Sequence, residues 1–170
     1  LRAGDLEDLR FFGVAGALVP SGNAVPAASR EAIRRSWEAL AGPGLRRLRR
    51  TGIAGFAAVG LHPRGIPWRG LEALLAELPD HLGRPSVVAV GAIGLEEGGP
   101  REEEVFARQL RLAKKLGKPA VVHTREADAE TAEILGGTLV PPEESAFVFL
   151  RAASADVCSG ALITAEWVLT

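Results

Sequence analysis

Residues 86–124, SVVAVGAIGLEEGGPREEEVFARQLRLAKKLGKPAVVHT, decide the fold. The valine-rich run 86–95 is typical of a strand that is buried on both faces. Residues 101–118 form the clearest helix of the sequence, with acids in the first turn, lysines in the last and Gly117 as the C-cap. Residues 119–124 are a second apolar run. The order strand, helix, strand predicts a right-handed crossover between parallel strands.

The same alternation continues toward the N-terminus. A helix is expected to end at Gly13, and strands are predicted over 14–20 and 53–61. A helix with Ser29 as N-cap runs to residue 50 and is predicted to break at Gly42-Pro43-Gly44. Residues 67–82 have apolar residues at helical spacing. The sequence therefore predicts an α/β fold, a four-stranded parallel half of a (β/α) barrel, over residues 1–133.

The pattern changes near Ile134. Residues 146–153, 157–163 and 166–170 are short apolar runs separated by turn residues, which is typical of antiparallel strands. We therefore predict two units: an α/β unit over residues 1–133 and a short antiparallel β segment over residues 134–170. The open edges of a half-barrel predict self-association unless the β segment covers one of them.

Composition limits the function classes. The 170 residues carry a net charge of −1, so no overall field favours nucleic acid or an anionic membrane, and nucleic acid enters only as a substrate. No apolar run approaches the roughly 18 residues that span a bilayer, and no signal peptide is evident. The single cysteine, Cys158, excludes an internal disulfide and indicates a reducing, cytoplasmic compartment. The run LRRLRR at 45–50 is expected to be a solvated helix face over two core leucines.

Chemically active side chains follow the predicted strands. His62, Glu96, Glu97, His123 and Arg125 all lie at or just beyond a strand's C-terminal end, the edge where parallel sheets gather functional groups. Imidazoles and carboxylates can hold a divalent cation that activates water, and an arginine can neutralise a phosphate oxygen. Hydrogen-bonded structural roles for His123 and a capping role for the two glutamates are the alternatives that this spacing leaves open.

Three segments taken in order, AAVGLHPRG, VVAVGAIGLEEGG and EEEVFARQLRLAKKLGKPAVVHTREA, resemble the TatD-like metal-dependent hydrolases. The resemblance covers residues 5–133 and implies a barrel of the amidohydrolase type, with divalent-metal nuclease or phosphoesterase activity. It implies that His123 is a metal ligand and that His62 and Arg125 lie at the substrate-binding mouth.

The sequence also departs from that family. The glutamate that bridges the metals in the family falls at Ala92, and Glu96 is the substitute that the sequence offers. The family's first-strand His-x-His pair and its later His and Asp have no counterpart here. Because catalytic metal sites use three or more protein ligands, no cofactor is assigned; an ion, if bound, would be zinc, magnesium or manganese.

The sequence therefore favours a catalytically inactive chain, recombined, fragmentary or designed, on a metal-hydrolase scaffold. One alternative is a divalent-metal-dependent phosphoesterase or nuclease that uses His62, Glu96, Glu97 and His123. Another is a protein-interaction module whose C-terminal β segment adds to a partner's sheet edge.

Residues 134–170 resemble the N-terminal segment of a mature trypsin-like serine protease. The resemblance is carried by ILGG at 134–137, CSGALI at 158–163 and WVLT at 167–170, in that order. The catalytic triad of that family follows this segment and is absent here, so the resemblance predicts no protease activity.

Overall fold

The computed structural model describes residues 3–22, 29–125, 130–131, 148–151 and 157–163. Its helices and strands, in chain order, are α1 (Ala3–Phe11), β1 (Gly16–Pro20), α2 (Arg30–Ala39), α3 (Leu45–Arg50), β2 (Ala54–Val59), α4 (Leu71–Leu82), β3 (Val87–Leu95), α5 (Pro100–Leu116), β4 (Ala120–Thr124), β5 (Val148–Arg151) and β6 (Val157–Ile163). No helix among these residues is long and apolar enough to cross a membrane.

The strands form one sheet in the order β1-β2-β3-β4-β6-β5. The first four strands are parallel, and β6 pairs antiparallel with β4 and with β5. This arrangement confirms the predicted four-stranded parallel α/β unit followed by a short antiparallel segment. β6 pairs along the free edge of β4. This is one of the two arrangements expected for an open half-barrel, the one in which the C-terminal segment covers an edge. The predicted strand over 166–170 and the boundary at Ile134 lie outside the described residues.

The core forms between the sheet and the helices. Apolar side chains of α2, α4 and α5 are buried against β2, β3 and β4, and Trp37, Leu74, Leu78, Ile93 and Phe106 are fully buried. Leu45 and Leu48 are also buried, in agreement with the predicted core-facing leucines of α3. This packing holds the C-terminal ends of the parallel strands in a fixed relation to one another.

The structure refines two helix predictions. The α-helix is interrupted around Gly42-Pro43-Gly44 and then resumes, as predicted, but the interruption is a π-helical turn, Leu40–Gly44, between α2 and α3. Pro43 has no N–H for an α-helical ladder, and the π-helical turn accommodates that loss. The predicted helix over 67–82 begins only at Leu71, because Gly70 has a left-handed backbone with φ of 76°. Residues 67–70 therefore belong to the loop that follows β2.

Candidate functional site

The C-terminal ends of β2, β3 and β4 bring together a cluster that we define as His62, Arg64, Glu96, His123 and Arg125. Glu96 directly follows β3, His123 lies within β4, and Arg125 directly follows β4. His62 and Arg64 lie in the loop after β2, where Pro63–Gly65 form a single 3₁₀ turn. The parallel direction of the strands places all five residues at one edge of the sheet.

The pairing of β3 with β4 fixes the positions of Glu96 and His123. Gly94 lies opposite His123 in the register, Leu95 lies opposite Thr124, and the N–H of Arg125 donates to the carbonyl of Leu95 at 3.2 Å. A Cβ at Gly94 would overlap the carbonyl oxygen of His123, and the φ of Gly94, 141°, is one that other residues rarely adopt. A glycine is therefore required for this close approach of the two strands.

The Glu96 carboxylate is the centre of the cluster. Its Oε2 lies 2.8 Å from Nε2 of His123, and its Oε1 accepts from Nε of Arg64 at 2.7 Å and from Arg125 at 3.4 Å. The side chains of Glu96 and His123 are nearly buried, whereas those of the two arginines are about two-fifths exposed. Two guanidinium groups thus surround one carboxylate, which leaves the cluster with surplus positive charge.

These contacts explain the protonation state of Glu96. Burial alone raises the pKa of this carboxyl, but the hydrogen bonds from His123 and Arg64 and their charges outweigh burial, and the net pKa is lowered. Glu96 is therefore ionised near neutral pH and acts as an acceptor. It follows that His123 donates its Nε2 proton to Glu96.

His62 lies beside His123, with 4.5 Å between the ring centroids. Its Nδ1 accepts the backbone N–H of Arg64 at 3.2 Å, so the neutral ring carries its proton on Nε2. Burial, and then the proximity of His123, lower the pKa of His62 to about 4. Near neutral pH, His62 is therefore uncharged. Its Nε2–H can donate a hydrogen bond to a negatively charged oxygen of a ligand.

A buried glutamine on α5 holds the backbone next to His62. The side chain of Gln109 is 1% exposed; its Oε1 accepts from the N–H of Leu61 at 2.7 Å, and its Nε2 donates to the carbonyl of Leu61 at 3.1 Å. Both backbone groups of Leu61 are satisfied by this one side chain. The position of His62 is therefore fixed from α5.

The loop after β3 is held by a second carboxylate. Oε2 of Glu102 accepts the backbone N–H groups of Glu96, Glu97 and Gly98 at 2.8, 3.1 and 3.2 Å. Glu97, which the sequence placed among the candidates, is exposed, and the structure assigns its side chain no contact with the cluster. The capping carboxylate at this turn is thus Glu102.

Sequence reasoning did not single out Arg64, Glu102 or Gln109. Arg64 lies two residues after His62 in the segment GLHPRG, and its place in the same strand-end loop is the signal that the sequence offers. Glu102 and Gln109 lay inside a recognised helix, and no local pattern distinguishes them from other polar positions. Their roles depend on which face of α5 packs on the sheet.

The described residues do not fit a catalytic divalent ion. No group of three or more His, Cys, Asp or Glu side chains in the described part of the chain is arranged to hold a metal. His123 and Glu96 are two candidate donors, and each already uses its facing atoms in their mutual hydrogen bond. Ala92, at the position where a bridging carboxylate was expected, supplies no donor atom. A complete metal site needs at least three protein ligands.

Comparisons with known proteins agree with this architecture. The family model described as TatD related DNase matches residues 44–150, which extends past the predicted boundary at Ile134. An uncharacterized metal-dependent hydrolase from Methanocaldococcus jannaschii is 30% identical over 130 residues, covering 76% of this chain and 51% of the relative. A 3'-5' ssDNA/RNA exonuclease from Edwardsiella piscicida is 38% identical over 85 residues, covering 47% of this chain and 32% of the relative.

A solved structure supports the half-barrel. The crystal structure of the TatD-like protein from Archaeoglobus fulgidus superimposes with a TM-score of 0.72 at 30% identity, covering 80% of this chain and 58% of that one. The chain spans about half the length of the first curated relatives. The expectation of an inactive recombined or designed chain finds no support in these matches, and the resemblance of 134–170 to a serine protease stays a prediction. The chain belongs to the TatD related DNase family.

Proposed function

We propose that this chain is a phosphodiesterase that acts on nucleic acid, the hydrolase alternative that the sequence offered, and that the cluster is part of its active site. The observation that carries the proposal is the cluster itself, in which two arginines and two imidazoles converge at the C-terminal edge of a parallel sheet. Such an edge is where α/β enzymes gather their functional groups. The relative from Edwardsiella piscicida, named as an exonuclease on ssDNA and RNA, supports the same substrate class.

The chemistry of the cluster suits a phosphodiester. Arg64 and Arg125 offer guanidinium groups that can pair with phosphate oxygens, and His62 offers a neutral Nε2–H donor. Donors that are already fixed in place stabilise the charge that develops on a reacting phosphate. Glu96 holds Arg64 and His123 in position through its two oxygens.

In this proposal the described residues bind and orient the phosphate. No three His, Cys, Asp or Glu side chains of the described residues are grouped to hold a metal, and His123 and Glu96 alone do not hold a catalytic ion. A metal in the enzyme would therefore need ligands in addition to this pair.

Hydrolysis of a chromogenic phosphodiester and of a labelled single-stranded oligonucleotide tests the proposal. The purified chain is assayed with Mg²⁺, Mn²⁺ or Zn²⁺ and with a chelator. We expect turnover that falls by about 10²-fold or more in Arg64→Ala, which removes a preorganised donor, and in His123→Ala, which removes the side chain that positions Glu96.

Glu97→Gln is the matched control, since Glu97 adjoins Glu96 in sequence but has an exposed side chain outside the cluster. Its turnover should equal that of the unchanged chain. The proposal fails if no condition gives hydrolysis above the background without enzyme, or if both Arg64→Ala and His123→Ala keep full activity.

A further inference from the structure

Trp68 is a large exposed aromatic residue at the same edge of the sheet as the cluster. Its side chain is 79% exposed, and it lies in the loop after β2 that also carries His62 and Arg64. We propose that Trp68, supported by Arg101, is a stacking platform for an unpaired base of single-stranded nucleic acid. The proposal rests on the proposed function, because it takes the cluster as the site for the neighbouring phosphate.

The Trp68 ring is held in place from α5. The guanidinium carbon of Arg101 lies 4.6 Å from the ring centroid, and the same guanidinium donates to the carbonyl of Pro67. Because the ring remains 79% exposed with Arg101 against it, the opposite ring face is open to a ligand. The cation–π contact with Arg101 helps to fix the ring before a ligand binds. Less side-chain entropy is then lost when a base stacks on the ring.

The loop beneath Trp68 is anchored rather than free. Pro63, Gly65 and Pro67 are buried, and Ile66 packs against the hydrophobic core. The exposed side chains therefore alternate with buried ones, and the loop presents Arg64 and Trp68 to solvent together. Such a fixed aromatic face is what base stacking needs.

The distance between Trp68 and the cluster suits a short stretch of nucleic acid. Trp68 follows Arg64 by four residues, so their Cα atoms are at most about 14 Å apart. Arg69, also exposed, adds a cation beside the ring. A strand whose phosphate pairs with Arg64 and Arg125 can therefore place a nearby base on Trp68.

An unpaired base is the ligand that fits this platform. In a duplex both faces of each internal base are covered by stacking, so an isolated ring on a protein surface has no face to contact. Single-stranded binding proteins combine cationic side chains with exposed aromatic rings in this way. The exposed ring beside a phosphate-compatible cluster therefore favours single strands over duplexes.

Binding to matched oligonucleotides tests the platform. Fluorescein-labelled oligothymidylate and an abasic strand of equal length are titrated with the full chain in chelator, and anisotropy is recorded. We expect the unchanged chain to bind oligothymidylate about tenfold more tightly than the abasic strand. Trp68→Ala should lose this preference, and Trp68→Phe should retain most of it.

Phe12→Ala is the matched control. Phe12 is 77% exposed but adjoins the N-terminal end of β1, at the other edge of the sheet. Equal affinities of the unchanged chain for the two strands, or full preference in Trp68→Ala, would overturn the platform; the ring would then serve another kind of partner, such as a protein. Base preference without any phosphodiester hydrolysis would instead overturn the proposed function and leave the platform standing.

Discussion

At the scale of single residues, Gly94 sets the geometry of the cluster. It lies opposite His123 where β3 and β4 approach too closely for any side chain on that strand position. Neighbouring Glu96 reaches His123 only because the two strands keep this register. A residue without chemical function thus determines the position of two residues that have one.

Gly94→Ala is expected to destabilise the fold by about 3 kcal/mol or more, because it combines a clash with the backbone of β4 and an unfavourable φ. Urea denaturation followed by circular dichroism measures the change in the free energy of unfolding. Gly22→Ala is the control, since no atom of the described residues, its chain neighbours aside, lies within 4 Å of the added Cβ; its effect should stay within about 0.5 kcal/mol. A Gly94→Ala variant as stable as the control would contradict the close-approach argument.

Some residues of the cluster could be predicted from the sequence, and others could not. His62, Glu96, His123 and Arg125 were predictable as candidates because each lies at or just beyond the C-terminal end of a strand, and the topology brings these ends together. Glu97 was included by the same rule, but its side chain is exposed and lies outside the cluster, because the chain bends at residues 96 and 97 directly after β3. Arg64 was missed although it lies in the same strand-end loop as His62, because that position alone does not show that its side chain reaches Glu96.

At the scale of elements, α5 supports the site from beneath. Gln109 is the side chain through which α5 binds the backbone after β2, and both of its hydrogen bonds are buried. The helix itself was predictable from its charges and its C-cap glycine, whose φ is 60°. The buried face of the helix was predictable from its apolar spacing, but a buried glutamine on that face has no such signal.

Gln109→Leu is expected to lower the free energy of unfolding by about 2–4 kcal/mol, because the N–H and C=O of Leu61 would be left buried without partners. Chemical denaturation measures the loss. Arg111→Leu, at an exposed position of the same helix, is the control and should change stability by less than about 0.5 kcal/mol. If the two variants were equally stable, the backbone clamp would have no energetic role.

The contact between α2 and α4 predicts a dependence on pH. His81 is 7% exposed, and its ring packs edge-on against Trp37 with 5.1 Å between the ring centroids. Its Nδ1 has no hydrogen-bond partner among the described residues. Burial, and then Arg84, lower the pKa of His81. Since the unfolded chain binds the proton more readily, the free energy of unfolding should fall as the pH decreases below about 6.5.

His81→Leu should reduce this dependence, because leucine has no proton to bind. Urea denaturation of both chains at about pH 7.5 and about pH 5.5 gives the comparison, at values where carboxylates remain ionised. His62, with a pKa lowered to about 4, acts in the same direction, so the variant should keep a residual slope. If the free energy of unfolding of His81→Leu changed with pH as much as that of the unchanged chain, His81 would not be the source of the pH dependence.

At the scale of the whole molecule, the sheet edge decides whether a half-barrel can persist. The four parallel strands were predictable because each crossover repeats one local pattern, and the antiparallel pairing of the C-terminal segment followed from its turn-rich sequence. The pairing of β6 with β4 required knowledge of which edge was open. In the structure, residues 120–123 of β4 pair with residues 160–163 of β6.

Removing residues 134–170 is therefore expected to expose β4 and to weaken the site, since His123 lies in the paired stretch. A parallel strand alternates the direction of its amides, so those of β4 that do not bond β3 would lose their partners. Hydrogen exchange should become faster at alternate residues of 120–123, and light scattering should report association that rises with concentration. Unchanged protection and a monomer at every concentration would show that β4 needs no cover.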